Sequence, residues 1–201
     1  MRKLALAVLL ALAIPAWAIP PVPRPAKEFT FVMPTGQQSL LSGLKGKVVI
    51  IQFLFTWCQH CQAFSGKLTQ LQKEFAAKGV EFRGVAFDDN VQPLSASSYV
   101  QKYGVGFPVG YAQRDMVLSF LGLSVMERLA VPQIVVIDKK GNIRAQSQPM
   151  GSSELQDETN LRKLFTDLIA ESATRPAPGG APGGAKVAPK AASPAPASKS
   201  E

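Results

Sequence analysis

The sequence predicts an α/β fold, a central sheet with helices on both faces, and three stretches predict it. Val48 to Phe55 is an almost unbroken apolar run. Such a run suits a central strand covered on both sides. Phe64, Leu68, Leu71 and Phe75 then recur with helical period, and Lys78-Gly79 stops the pattern. Val80 to Phe87 reads as the next strand. At 201 residues the chain has room for one domain with a sizeable core. Its 46% hydrophobic content is that of an ordinary globular protein, which argues against a disordered chain and against a multi-span membrane protein.

The remaining elements follow in order. Residues 1–18 read as a signal peptide: Arg2 and Lys3 are basic, Leu4 to Ile14 is apolar, and Ala16-Trp17-Ala18 fits a cleavage site after Ala18. The apolar stretch is short for a spanning helix. Left uncut, it would be an inner-membrane anchor. No cysteine lies near the cut, which excludes a lipoprotein anchor. Residues 19–27 form a proline-rich linker, expected to be extended. The folded domain is expected over residues 28–172. Phe29, Phe31 and Met33 alternate with smaller residues, which predicts a short edge strand ending at Pro34, and Thr35-Gly36-Gln37 predicts a turn. Ser95 to Tyr103 is helical in composition and ends at Gly104-Val105-Gly106. Met116 to Leu123 predicts a short apolar helix. Pro132 stands directly before a strand, Gln133 to Ile137, a position proline tolerates. A turn at Asp138 to Asn142 leads into a partner strand, Ile143 to Gln148. Ser153 with Gln156 suggests a capping box, ahead of a closing helix carrying Leu161, Leu164, Phe165 and Leu168. Residues 173–201 are rich in Ala, Pro, Gly, Ser and Lys, and this composition predicts a disordered tail.

The formal charge is +8. Much of the excess lies in the two termini, at Arg2 and Lys3 and at Arg175, Lys186, Lys190 and Lys199. No basic stripe with interleaved aromatics occurs, so nucleic-acid binding has no support.

The chemistry concentrates in Phe53-Leu54-Phe55-Thr56-Trp57-Cys58-Gln59-His60-Cys61, which holds both cysteines of the chain. Cys-x-x-Cys at a strand-to-helix junction is a dithiol/disulfide pair. Residues i and i+3 share one face of a helix's first turn, close enough for a disulfide. The first thiol sits where unpaired N–H groups and the helix dipole favour its thiolate. Cys58 is therefore the expected nucleophile and Cys61 the resolving thiol. His60, the single histidine, could lower the Cys58 pKa through charge or a hydrogen bond, or be a plain surface residue. Rival readings are weaker. Structural zinc wants four ligands, Cu(I) could use two thiolates, and an inert i,i+3 bridge closes almost no loop. No metal and no cofactor is expected. Export fits the dithiol, because disulfides form and are managed outside the cytosol.

The run Gly46-Lys47-Val48-Val49-Ile50-Ile51-Gln52-Phe53-Leu54-Phe55-Thr56-Trp57-Cys58-Gln59-His60-Cys61, with Val131-Pro132, resembles the thioredoxin superfamily. It is similar in particular to its TlpA/ResA-like extracytoplasmic thiol–disulfide oxidoreductases, and the resemblance covers Glu28 to about Ile169. It implies a thioredoxin-like fold: a central mixed β-sheet flanked by helices, with an N-terminal hairpin extension and an inserted helical segment. Tyr103-Gly104-Val105-Gly106-Phe107-Pro108-Val109 is similar to a run common in that branch. The resemblance also implies a cis-proline at Pro132 facing the thiols, with Val131 and Trp57 meeting an extended substrate chain. It makes Asp88 and Asp89 candidates for a proton relay, against a bland reading as loop and helix cap. Gln52 stands where thioredoxin has a buried aspartate, so a buried general base is in doubt and a hydrogen-bonded side chain at the sheet end is the better reading. The implied partners are a cysteine-containing protein substrate and a membrane or periplasmic thiol electron donor, in the periplasm or another extracytoplasmic space. The reducing direction is expected, although His60 is reminiscent of DsbA-type disulfide donors. A peroxiredoxin-like peroxidase would need threonine and proline where Phe55 and Ile51 stand. A copper chaperone of the Sco type would need a distant histidine, which the chain lacks.

Overall fold

The computed structural model describes residues 19–171; the signal peptide expected over 1–18 and the tail expected over 173–201 lie outside them. Eight strands form one sheet: β1 (Arg24–Pro25), β2 (Thr30–Val32), β3 (Gln38–Leu40), β4 (Val48–Leu54), β5 (Val80–Ala86), β6 (Val109–Tyr111), β7 (Gln133–Ile137) and β8 (Asn142–Gln146). Their spatial order is β1-β8-β7-β4-β5-β6-β2-β3. The helices are α1 (Gln59–Phe75), α2 (Pro93–Tyr103), α3 (Arg114–Leu121) and α4 (Glu158–Ala170). The sheet is mixed: β4 runs parallel to β5 and antiparallel to β7. This is the thioredoxin-like arrangement that the resemblance implied, with the β2–β3 hairpin as its extension.

Every residue of β4 is buried, and the strand's period of two splits them between two cores. Val48, Ile50 and Leu54 face Phe64, Leu68, Leu71 and Phe75 of α1 and Leu161, Phe165 and Leu168 of α4. Val49, Ile51 and Phe53 face Phe29, Phe31, Val117, Phe120 and Leu121, on β2, α3 and the chain beside them. Each such side chain contributes about 1.5–3 kcal/mol of burial. The unbroken apolar run thus has a direct cause: helices or aromatics cover both faces of the strand.

Several boundaries and pairings differ from expectation. The linker expected over 19–27 is in part a strand. Arg24 and Pro25 pair with Ile143 and Asn142, and the Arg24 guanidinium donates to Gln146 and to the Leu121 carbonyl. β2 is not an edge strand, because it pairs with β3 on one side and meets β6 at Val32 and Tyr111 on the other. Gly110 permits that approach, since a Cβ there would lie 2.6 Å from the Val32 carbonyl oxygen. The Ser153/Gln156 capping box does not form. Residues 154–156 make a short 3-10 turn, and Asp157 caps α4 instead, accepting from the Asn160 N–H at 3.0 Å. α2 begins two residues before Ser95 with Pro93 in its first turn, and ends where Gly104 takes φ +60°. No helix among the described residues is long and apolar enough to cross a membrane.

Candidate functional site

β4 delivers the chain to the C-terminal edge of the sheet, where Thr56 and Trp57 turn it into α1. Cys58 is the residue that caps α1, in extended conformation (φ −76°, ψ 115°). Its sulfur takes the place a capping oxygen normally holds, accepting the Cys61 N–H at 3.3 Å. Both thiols are free. Cys58 is 8% exposed and Cys61 is fully buried, so an incoming group reaches the first sulfur and not the second. Burial pushes the Cys61 thiol far above its ordinary pKa, and the hydrogen-bonded Cys58 side chain adds to that. Cys61 is thus held as a thiol while the pair is reduced.

The loop around Cys58 is pinned from several directions. Both oxygens of Asp88, just past β5, accept from Thr56: Oδ1 from the backbone N–H at 2.7 Å and Oδ2 from the hydroxyl at 2.8 Å. Asp88 is therefore neither a helix cap nor a free loop carboxylate. Burial raises its pKa and the Thr56 bonds partly offset that. The Gln62 side chain donates to the Thr56 carbonyl at 3.0 Å. Phe55 packs against Phe87 and against Trp57, with ring centroids at 4.7 and 5.3 Å, yet Trp57 stays 69% exposed.

The second wall of the site is the loop before β7. The Val131–Pro132 peptide is cis, as the resemblance implied. The Val131 carbonyl lies 3.8 Å from Cys58 Sγ, which donates to it. Gln133, fully buried at the start of β7, anchors this loop: its Nε2 donates to the carbonyls of Ala130, Gln148 and Pro149 at 2.7, 3.0 and 3.2 Å. Beside Trp57 an open groove of about 310 Å³ is lined by Thr56, Ser95, Ser98, Lys102 and Tyr103.

Of the residues singled out from sequence, the structure brings Cys58, Cys61 and Val131 into contact and sets Asp88 on the loop that carries Cys58. It does not join His60 or Asp89 to them. Both are exposed, and neither side chain makes a hydrogen bond among the described residues. Gln52 is not at the sheet end but in mid-strand, fully buried, with its Nε2 on the Cys61 carbonyl at 3.0 Å. Sequence reasoning missed Ser65, Tyr99, Thr56 and Gln133. The one available signal was Ser65, a hydroxyl on the inward stripe of α1 between Phe64 and Leu68. No cluster of three or more metal-ligating side chains occurs among the described residues.

Comparison with known proteins places this geometry. The AhpC/TSA family matches residues 22–146. The thiol-disulfide oxidoreductase ResA of Bacillus anthracis is 28% identical over 120 residues, covering 60% of this chain and 65% of the relative. The match therefore spans just under two thirds of that relative's length. ResA of Bacillus subtilis (strain 168) is 29% identical over 139 residues, covering 69% of this chain and 74% of the relative. Among solved structures, a thiol:disulfide interchange protein of the thioredoxin family from Chlorobium tepidum TLS superposes with a TM-score of 0.61 at 27% identity. That superposition covers 75% of this chain and 99% of the other.

Proposed function

The chain belongs to the AhpC/TSA family, and on that premise we propose that it is an extracytoplasmic thiol–disulfide oxidoreductase that exchanges disulfides with protein cysteines through Cys58 and Cys61, running in the reducing direction. One observation carries the reading. The Cys58 sulfur caps a helix, takes the Cys61 N–H, and faces the cis-proline loop.

The Cys58 thiolate attacks one sulfur of a substrate disulfide. A Cys58–substrate disulfide forms and the other substrate sulfur leaves as a thiolate. Cys61 then gives up its proton and attacks Cys58 Sγ, closing the Cys58–Cys61 disulfide and releasing the second substrate thiolate. Two electrons have passed to the substrate, and an external dithiol restores the pair. Asp88 is our candidate for the group that receives the Cys61 proton, because its two bonds to Thr56 hold a carboxylate beside the turn that carries the thiols. Val131 and Trp57 line the approach of an extended chain. The basic-then-apolar sequence of residues 1–18 supports export; export in turn makes a membrane or periplasmic thiol donor the natural source of electrons.

The deciding experiment is the reduction potential of the pair against a glutathione buffer. A value near thioredoxin's, about −270 mV, supports the reductase. A value near that of DsbA, about −120 mV, reverses the direction and gives His60 a part in setting the potential. Absence of a reversible two-electron couple overturns the reading.

A further inference from the structure

Beneath the thiols lies a hydrogen-bonded set of side chains that the exchange chemistry does not itself require. Gln52 on β4, Ser65 on α1 and Tyr99 on α2 are all buried, at 0%, 0% and 2% exposure. Ser65 Oγ donates to Gln52 Oε1 at 2.8 Å and lies 2.7 Å from the Tyr99 hydroxyl. Gln52 Nε2 reaches the Cys61 carbonyl at 3.0 Å. The polarity of this set is determined by elimination. A carbonyl only accepts, so the Gln52 amide nitrogen must face Cys61 and its oxygen must face Ser65. The single Ser65 proton is then committed to Gln52, and Tyr99 must donate to Ser65. All three donors point the same way, from α2 through α1 and β4 to the carbonyl of Cys61.

We propose that Gln52, Ser65 and Tyr99 are positioning residues: a neutral, one-directional hydrogen-bond chain that fixes residue 61 so that its N–H stays on the Cys58 sulfur and stabilises the reduced pair. The inference rests on the proposed exchange reaction and adds to it a determinant of its equilibrium. Consecutive hydrogen bonds polarise one another, so a change at Tyr99 is felt at the Cys61 carbonyl through Ser65 and Gln52. An apolar side chain at residue 52 would pack against the same neighbours and leave the Cys61 carbonyl with its helical partner alone. The first turn of α1 would then be free to rotate away from Cys58. All members of the chain are uncharged in their ordinary forms, so it orients the thiol pair without placing a buried charge beside it.

The test uses Gln52→Leu and Tyr99→Phe in the full-length protein, with Ser65→Thr as the conservative control that keeps a hydroxyl. Two readouts are taken: the thiol–disulfide equilibrium constant against glutathione, and the rate at which iodoacetamide alkylates Cys58. The expected result for Gln52→Leu is a shift of about tenfold toward the disulfide with slower alkylation. Tyr99→Phe is expected to move both readouts the same way by about threefold, and Ser65→Thr to restore values near wild type. Lower thermal stability with an unchanged equilibrium constant and unchanged alkylation would reduce the chain to packing and overturn the proposal. If Gln52→Leu does not fold, Tyr99→Phe carries the test alone. If the wild type shows no reversible couple, the exchange reading fails, while the alkylation order still decides whether the chain controls the Cys58 sulfur.

Discussion

The two sides of β4 are built on different principles. One presents Val49, Ile51 and Phe53 to a cluster of aromatic rings, with Phe29 5.7 Å from Phe53 and 5.1 Å from Phe120. The other presents Val48, Ile50 and Leu54, but interrupts them with Gln52. The first side supplies non-directional burial, which tolerates exchange of one apolar group for another. The second includes a buried amide that is acceptable because its nitrogen and its oxygen each have a partner. The thiols sit on the second side. The strand therefore separates its polar contact with the thiols from its aromatic face: the odd positions are all apolar, and among the even ones Val48, Ile50 and Leu54 are core while Gln52 alone bonds to the site.

That separation can be broken from either side. The largest effect is expected for Cys58→Ser, which should reduce disulfide exchange to background while thermal unfolding stays close to wild type, as assayed by insulin reduction and by calorimetry. Next comes Phe53→Ala on the aromatic side, with a loss of about 3–5 kcal/mol in urea unfolding. Measured well below its unfolding midpoint, this variant should keep the wild-type thiol–disulfide equilibrium constant; a changed constant would show that the two sides are coupled. Asp88→Asn is subtler. The folded-state pKa of Asp88 is raised, chiefly by burial, so the stability it contributes is present at acid pH and is lost as pH rises through its folded pKa. The Asn variant should lack that decline, and its melting temperature should fall less than wild type between acid and neutral pH. At neutral pH the substitution should cost no more than about 1 kcal/mol, since asparagine keeps one of the two Thr56 bonds. The smallest expected effect is none at all: hydrogen peroxide should be consumed no faster than by a free dithiol, because Phe55 and Ile51 occupy the positions where peroxide chemistry needs other groups. Rapid turnover of peroxide would move the protein to the peroxidases.

What the sequence made legible was whatever depends on neighbours in the chain. The apolar run of β4, the helical stripe of α1 and the Cys-x-x-Cys spacing are all local patterns, and the structure keeps them. Pro132 became legible through resemblance and not through spacing. Asp88 was legible as a residue near the site and illegible in its task, since its partner Thr56 lies 32 positions away. Tyr99 was illegible for the same reason: its hydroxyl meets Ser65 across 34 positions. Arg24 and Pro25 carry no strand pattern, and only the offered edge of β8 makes them a strand. The Ser153/Gln156 pattern was present but outcompeted. Asp157 stands one residue before α4 and its carboxylate takes the cap.

Trp57 is the only tryptophan among the described residues, Trp17 falling within residues 1–18. It adjoins Cys58, projects into solvent, and leans on a ring that leads into the interior through Phe55 and Phe87. Indole emission responds to a sulfur's charge and to a nearby disulfide. The protein therefore carries its own optical gauge, an indole beside the reacting atom, whose brightness can be followed in real time without any label as each thiol is consumed.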